Sequence, residues 1–289
     1  MLLQPYHLEE LRFATCFRVY YRWRTHRACA VPALRKLGRE TLDALLRDYG
    51  IHILEASAGE TDARVLASLL PSESVASCAS KMKGRVSKWL NDQFMQATKE
   101  KLLSRGYFAC TTGKSTEDAV LAYLDLQGEH HGYESRPLPP VFVATFAPTD
   151  SDEERLNAAH AVTVLRFHIV FSTWGRRGVF GRMEAEAIAA SWREVEKQLP
   201  VFIEKVSFVP DHVHIAVHTH PGLSPAQIVL ALMNAAQELM WTEFSDSVIQ
   251  VRAERLWQPG AYIGSFGSLE SAKISAYVRT WEATHDGGP

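Results

Sequence analysis

The sequence is poor in cysteine and has no long apolar run. Its 289 residues include four cysteines, and none forms a C-x-x-C pair. This excludes a disulfide scaffold, and we expect free thiols in a reducing cytoplasm. No segment reaches the roughly 18 consecutive apolar residues of a membrane span, so we predict no transmembrane helix. The start lacks a basic segment followed by an apolar run, which argues against a signal peptide.

The net charge is also small, because 31 basic residues nearly balance 33 acidic ones. This balance argues weakly against nucleic acid as a partner. The distribution argues the other way, since residues 11–39 hold eight basic residues and no acidic one. Arginine among aromatic rings suits a surface that binds phosphates and stacks on bases, although such runs usually form a solvated face. The predicted DNA contacts are Arg22, Trp23, Arg24, Arg27, Lys81, Lys83, Arg85 and Lys88.

The second half of the chain repeats the pattern of the first. An offset of 150 residues aligns 16–21 with 166–171 and 62–67 with 212–217, and a four-residue insertion raises the offset to 154. Each copy reads as strand, helix, two strands, helix, short strand and helix. The predicted elements are 12–23, 32–49, 51–56, 64–70, 74–96, 107–111 and 116–130 in copy one, and 162–173, 182–198, 201–209, 213–219, 224–244, 261–265 and 269–284 in copy two.

This order predicts an α+β fold with two tandem antiparallel-sheet domains of ferredoxin-like or RRM-like type. We place the domains at residues 1–133 and 158–289. Prolines and acidic residues mark 134–157 as a linker with one extended segment. Ser74 and Ser224 stand where an N-cap would begin the second helix of each copy.

Two histidines in copy two suit a metal site. His212 and His214 are two apart on a predicted strand, so both side chains project from one face and can hold one divalent cation. The alternative is a pair of half-exposed strand histidines, since two ligands do not make a site. Copy one has Asp62 and Arg64 at these positions, and an arginine would repel the cation.

The third helix reverses this asymmetry. Tyr123 and Gln127 are four apart and share a helix face, so a phenol nucleophile and an amide ligand can approach one target. Copy two has Tyr277 with Trp281, which offers no ligand oxygen. The alternative for either tyrosine alone is ordinary packing.

Together these residues resemble a known family. The motifs are P-D-H-V-H before an aliphatic strand, an L-S-P or S-E-S helix start, K-G-R…W-L, G-Y-F-x-x-T and Y-x-x-x-Q…H-H. They are similar to the HUH single-tyrosine transposases, the insertion-sequence 200/605-like family, which moves DNA as single strands. The resemblance covers each copy almost end to end.

The resemblance implies a dimer-like arrangement within one chain. Family members are dimers in which the tyrosine helix of one subunit docks against the H-x-H strand of the other. We therefore expect an intramolecular pseudo-dimer in which Tyr123 and Gln127 meet His212 and His214. The opposite site, with Asp62, Arg64, Tyr277 and Trp281, would be inert.

The resemblance also implies the chemistry. Mg²⁺ or Mn²⁺ would polarise the scissile phosphate, and tyrosine attack would leave a 5′-phosphotyrosine that a 3′-hydroxyl can later displace. The expected partner is single-stranded DNA carrying a hairpin, in a nucleoid-associated cytoplasmic setting, with self-association of whole chains open. The main alternative is a domesticated, catalytically silent DNA-binding protein. A small-molecule enzyme is disfavoured, because the sequence has neither a P-loop nor a G-x-G-x-x-G after a strand.

Overall fold

The computed structural model describes residues 4–94, 101–125, 140–250 and 254–268, and it confirms the α+β class. The strands are β1 (Arg12–Cys16), β2 (Arg18–Arg24), β3 (His52–Ala58), β4 (Asp62–Ser68), β5 (Tyr107–Thr112), β6 (Phe142–Thr145), β7 (Ala161–Val164), β8 (Arg166–Ser172), β9 (Val201–Val209), β10 (His212–Thr219) and β11 (Gly260–Phe266). The α-helices are α1 (Arg39–Leu46), α2 (Val75–Phe94), α3 (Glu117–Asp125), α4 (Asp150–Leu156), α5 (Arg182–Gln198), α6 (Pro225–Glu243) and α7 (Ser245–Gln250).

These strands form two sheets within the described residues. The six-stranded sheet has the order β1-β11-β8-β10-β9-β6, and the five-stranded sheet has the order β3-β4-β2-β5-β7. Each contains four strands in the spatial order fourth, first, third, second, which is the ferredoxin-like order. The edge strand β6 comes from the predicted linker, 134–157, whereas the edge strand β7 comes from the start of the predicted second domain. The linker therefore contributes one strand to the six-stranded sheet, and that strand is followed by α4.

The chain divides into two compact units. One comprises Met1–Thr15, Glu117–Leu156 and Arg166–Gly264, and it holds nearly all of the six-stranded sheet together with α3. The other comprises Cys16–Thr116, Asn157–Leu165 and Ser265–Pro289, of which the described part ends at residue 268. Helix α3 follows β5 in the sequence but belongs to the unit of the six-stranded sheet.

Strand register reveals the repeat at atomic detail. In the five-stranded sheet Arg24 lies opposite Asp62, and in the six-stranded sheet Ser172 lies opposite His212. The equivalent of β2 is therefore displaced by 148 residues, which corrects the offset of 150 expected for this strand. A shift of two leaves every side chain on the same face, so sequence alternation alone cannot detect it.

Both sheets also contain the same irregularity. The pairing of β3 with β4 skips Leu54, and the pairing of β9 with β10 skips Glu204, exactly one repeat later. A β-bulge inserts one residue that lacks a direct partner, and such bulges mark specific positions in a fold. The duplicated bulge therefore supports descent of both sheets from one unit.

Some elements differ from expectation. The predicted strand 12–23 is two strands in different sheets, divided at the fully buried Phe17. The run 162–173 is likewise divided into β7 and β8. The predicted helix 32–49 begins with a 3-10 segment, Pro32–Lys36, and its α-helical part is α1. Gly38 between these parts carries a helix propensity cost that permits the interruption.

Alternating positions on the central strands form the cores. Val213, Ile215 and Val217 on β10 are fully buried on the face that α5 covers, where Trp192 stacks on Phe208 at a ring-centroid distance of 5.6 Å. The other face of this sheet therefore receives the intervening residues of β10, among them His212 and His214. Among the described residues, no helix is both long enough and apolar enough to cross a bilayer.

Candidate active site

The polar face of the six-stranded sheet brings His212 and His214 together. Both side chains are buried, at 1% and 3% exposure, and their ring centroids are 5.0 Å apart. They share this face because residues two apart on a strand point the same way. The sequence predicted this pairing, and the burial shows that the alternative of half-exposed strand histidines does not describe them.

Helix α3 brings Tyr123 to the same face. The Tyr123 ring is half-buried and meets His214 edge-on at a centroid distance of 5.6 Å. Its distance to the ring of His168, on the neighbouring strand β8, is 6.1 Å. A phenol and an imidazole pair separated by 89 positions in the sequence thus occupy one site within a single compact unit.

A carboxylate holds the first histidine of the pair. His212 Nδ1 lies 2.6 Å from Asp211 Oδ1, and Arg176 binds the other carboxylate oxygen at 3.0 Å. Burial alone would raise the pKa of Asp211, but the hydrogen bond from His212 and the nearby positive charges lower it. An ionised Asp211 accepts from Nδ1–H, which leaves Nε2 of His212 as its ligand atom.

A third histidine holds the second. His168 Nε2 lies 2.9 Å from His214 Nδ1, and the two ring planes differ by 21° with centroids 5.1 Å apart. The N···N distance, together with the distance from each nitrogen to the centre of its own ring, accounts for nearly all of the separation between the two ring centroids. The rings are therefore joined edge to edge in almost one plane, which is hydrogen-bond geometry. Burial lowers the pKa of His168 to about 4.

Two basic residues of the sheet bind opposite ends of α3. Arg166 on β8 forms an ion pair with Glu117, the first residue of the helix. Lys205 on β9 lies 2.5 Å from an oxygen of Asp125 and donates to the Leu121 carbonyl at 3.2 Å. Tyr123 lies between these two attachments, so they fix the position of its ring over the histidines.

A second group of potential metal ligands lies farther along β10. One ligand atom each from Glu117, Glu204 and His218 lie within 4.8 Å of one another. Arg166 contacts this group, because it pairs with Glu117 and lies 3.2 Å from His218 Nε2. The hydrogen bond from His218 lowers the pKa of Glu204, although burial opposes this. A guanidinium thus already supplies positive charge there.

The equivalent face of the five-stranded sheet contains an ion-pair cluster. Asp62 and Arg64 are buried, and Arg64 Nη2 lies 2.8 Å from Asp62 Oδ2. Arg22 on β2 binds the same oxygen at 2.8 Å. The two guanidinium groups exceed the one carboxylate by a positive charge, and none of the three side chains offers an imidazole nitrogen to a metal. That this position is degenerate stays a prediction.

The predicted basic helix α2 uses most of its charges within the protein. Lys81 pairs with Glu73 at 2.7 Å, and Lys83 donates to the carbonyl of Arg105 at 2.7 Å. Arg85 binds the Tyr49 hydroxyl, with its guanidinium 4.8 Å from the centre of that ring. Lys88 is exposed. Their DNA contacts stay a prediction.

The basic end of β2 contains one residue that needs correction. Trp23 is 1% exposed, so its ring faces the core and cannot stack on a base at the surface. The cause is strand alternation, which turns Trp23 to the face opposite Arg22 and Arg24. Arg24 and Arg27 are exposed, and Arg27 adopts a left-handed backbone conformation with φ of 51°.

Three predicted site residues, Gln127, Tyr277 and Trp281, lie outside the described residues. The described donors still fit a divalent cation, because the Nδ1 atoms of His212 and His214 both have partners within the protein. Their Nε2 atoms are then the nitrogens that can ligate. Metal-binding histidines characteristically use the second ring nitrogen in such a hydrogen bond.

Sequence reasoning missed His168, Asp211, Arg176 and the two residues that hold α3. Strand alternation was the available signal, since Arg166 and His168 occupy the polar face of β8. That signal did not indicate which strand would lie beside His214. The residues Arg166 and Lys205 could not be assigned without knowing where α3 packs.

Comparisons with known proteins define the class. The sequence profile described as "Transposase IS200 like" matches residues 15–127 and again residues 161–280. Transposases are DNA-processing proteins, and two matches along one chain are consistent with a tandem duplication.

The relatives agree with this class. The transposases for insertion sequence element IS200 of Salmonella typhimurium and Salmonella typhi are each 26% identical over 128 residues, which cover 44% of this chain and 82% of theirs. The ISDra2 transposase TnpA of Deinococcus radiodurans is 23% identical over 122 residues, or 42% of this chain and 85% of its own. A crystal structure of a protein assigned as a transposase from Deinococcus radiodurans R1 aligns with a TM-score of 0.35 and 19% identity, covering 45% of this chain and 97% of that one. The chain belongs to the IS200-like transposase family and contains two tandem copies of its domain.

Proposed function

We propose that this protein is a metal-dependent single-strand DNA endonuclease and strand transferase with one working site. The observation that carries the proposal is the contact between the rings of Tyr123 and His214, whose centroids are 5.6 Å apart. His214 is one member of the buried imidazole pair. A nucleophile next to potential metal ligands is the arrangement that phosphoryl transfer to a side chain requires.

The residues divide the chemistry as follows. His212 and His214, with Gln127 as the family resemblance implies, would hold Mg²⁺ or Mn²⁺. The bound cation supplies Lewis-acid polarisation of a non-bridging phosphate oxygen. The Tyr123 oxygen attacks phosphorus and forms the tyrosine–phosphate bond while the bond to the 3′-oxygen breaks. The 3′-oxygen leaves with a proton, and the phenol loses one.

The covalent step accounts for rejoining without an energy source. The 5′-phosphotyrosine retains the phosphodiester free energy, so another 3′-hydroxyl can attack it and release Tyr123. A phenol has a pKa near 10 in water, so its deprotonation must accompany attack at neutral pH. Lysine and arginine residues around α3 orient the helix in this scheme.

The two tandem copies, with boundaries at 1–133 and 158–289, would act as an intramolecular pseudo-dimer. The assignment of α3 to the unit of the six-stranded sheet supports this proposal, since the first copy then supplies the tyrosine to the histidines of the second. Asp62 and Arg64, with Tyr277 and Trp281, would form the inert counterpart. Self-association of whole chains would bring two working sites to the two ends of an element.

The proposed substrate is single-stranded DNA with a hairpin, encountered at the nucleoid. Exposed Arg24, Arg27 and Lys88 are the predicted contacts that the described surface leaves most accessible. Binding through phosphates requires affinity to fall steeply as salt is added.

The test uses end-labelled single strands, Mn²⁺ and separation on denaturing gels containing SDS. Wild type should give a labelled protein–DNA adduct, and chelation of the metal should abolish it. Tyr123→Phe should abolish the adduct because the nucleophilic oxygen is gone, whereas Tyr277→Phe should leave it intact.

Two results would contradict the proposal. An adduct retained by Tyr123→Phe and lost in Tyr277→Phe would reverse the assignment of the nucleophile. Salt-sensitive DNA binding by wild type without any adduct would favour the catalytically silent binding protein instead.

A further inference from the structure

His168 is not a member of the H-x-H pair, yet its ring contacts His214 directly. Its Nε2 atom is 2.9 Å from Nδ1 of His214, and the two rings are nearly coplanar. The rings of Tyr262 and Tyr123 both pack edge-on against the His168 ring, at centroid distances of 5.9 Å and 6.1 Å. The imidazole is therefore held in place by aromatic rings while it points one nitrogen at His214.

The chemistry of imidazole limits how this contact can be made. A neutral ring carries one proton, so one of the two facing nitrogens must donate and the other must accept. A ligand histidine must present a bare nitrogen to the metal. Because Nδ1 of His214 faces His168, Nε2 is the nitrogen left for ligation, and the proton then resides on Nδ1.

We infer that His168 is a positioning residue that holds His214 in the tautomer with a proton on Nδ1 and a bare Nε2. It accepts the hydrogen bond at its own Nε2 and carries its proton on Nδ1. This inference rests on the proposed metal-dependent function. Asp211 occupies the corresponding place for His212 at 2.6 Å, so both members of the pair are oriented by the protein before any cation arrives.

The five-stranded sheet offers an internal comparison. By strand register, the residue equivalent to His168 is Tyr20, and the residue equivalent to His214 is Arg64. Tyr20 lies opposite Leu66 within an apolar cluster and has Phe108 edge-on at 6.2 Å. The aromatic packing is thus preserved, while the imidazole acceptor is present only beside the histidine pair.

The first experiment uses the unmodified, metal-free protein. Nitrogen-15 correlation spectra of labelled histidine at mildly alkaline pH distinguish a protonated Nδ1 from a protonated Nε2. His214 should show the proton on Nδ1, and His168→Gln should preserve this state because the glutamine amide oxygen can accept in place of Nε2. A proton on Nε2 of His214 in wild type would overturn the inference.

The second experiment measures Mn²⁺ affinity by titration calorimetry without DNA. His168→Leu, which removes the acceptor but fills the space, should weaken binding by about 10–100-fold, the range for residues that orient a metal ligand. His168→Gln should bind nearly as wild type does. Equal affinities of wild type and His168→Leu would overturn the inference.

The outcomes separate this inference from the proposed function. If wild type binds no Mn²⁺, the proposed metal-dependent function fails, while the tautomer of His214 still tests the role of His168. If wild type binds Mn²⁺ and His168→Leu binds it equally, only the role of His168 fails. A His168→Leu protein that does not fold leaves the decision to the spectra of wild type.

Discussion

In the six-stranded sheet, strand β10 carries His212 and His214, whereas the equivalent strand of the five-stranded sheet, β4, carries Asp62 and Arg64. Register and bulge coincide in the two sheets, so these residues occupy equivalent backbone positions. In one sheet the polar face presents an oriented imidazole pair. In the other, the polar side chains pair with each other, with Arg64 Nη2 2.8 Å from Asp62 Oδ2. Equivalent backbone positions thus carry side chains of different chemical type, imidazoles in one sheet and an ion pair in the other.

The surroundings of the two faces diverge in the same direction. The bulge residue of the six-stranded sheet is Glu204, which binds His218 at 3.0 Å. The bulge residue of the other sheet is Leu54, which packs with Tyr20 and Leu66 in an apolar cluster. The two sheets therefore share their strand geometry, while the bulge residue is polar in one and apolar in the other.

The largest expected effect comes from removing one member of the histidine pair. His214→Ala should lower the rate of covalent adduct formation by at least about 10³-fold, because the imidazole nitrogen for the metal is lost. His220→Ala, a histidine just beyond the end of β10, is the matched control and should retain the wild-type rate. Single-turnover assays on denaturing gels measure both, and equal losses in the two variants would contradict the special role of His214.

The next effect concerns stability on the opposite face. Arg64→Met should lower the free energy of unfolding by about 3 kcal/mol, because it leaves the buried Asp62 carboxylate with only half-exposed Arg22. Adding Asp62→Leu should recover most of the loss, since the buried carboxylate is then absent as well. Urea unfolding followed by tryptophan fluorescence measures both variants. A fully stable Arg64→Met protein would show that the ion pair does not organise this face.

A smaller effect is expected where α3 is held. Lys205→Met removes the attachment to Asp125 and Leu121, and we expect adduct formation to slow by about 10–100-fold through displacement of Tyr123. Affinity for Mn²⁺ should not change, because the histidines are untouched. Lys197→Met, which breaks the exposed ion pair with Glu194 on α5, is the control and should not slow the reaction. Unchanged rates in Lys205→Met would sink the positioning role of this lysine.

Much of the fold could be predicted where periodicity was strong. The predicted helix 182–198 and strand 201–209 coincide with α5 and β9, and Ser224 accepts a hydrogen bond from the amide of Gln227 as an N-cap. The run 12–23 failed because β propensity continues through Phe17, while the chain changes sheets there. A change of sheet depends on long-range pairing, which local sequence does not encode.

The candidate site could be predicted in part. His212, His214 and Tyr123 each lie on an element whose periodicity exposes one face, so their grouping was accessible from spacing and family resemblance. His168 and Lys205 were not, because their roles depend on which strands are neighbours and where α3 packs. Trp23 was misassigned to the surface for a simpler reason, since strand alternation places it opposite the arginines on either side.

Localisation of the covalent bond tests the account most directly. After reaction with a single-stranded substrate and Mn²⁺, nuclease and protease digestion would leave a nucleotide remnant on the nucleophile, which fragment mass spectra can assign to one residue. The account predicts the remnant on Tyr123 and none on Tyr133, ten positions later in the sequence, or on Tyr277. A remnant on either of those two tyrosines would contradict it.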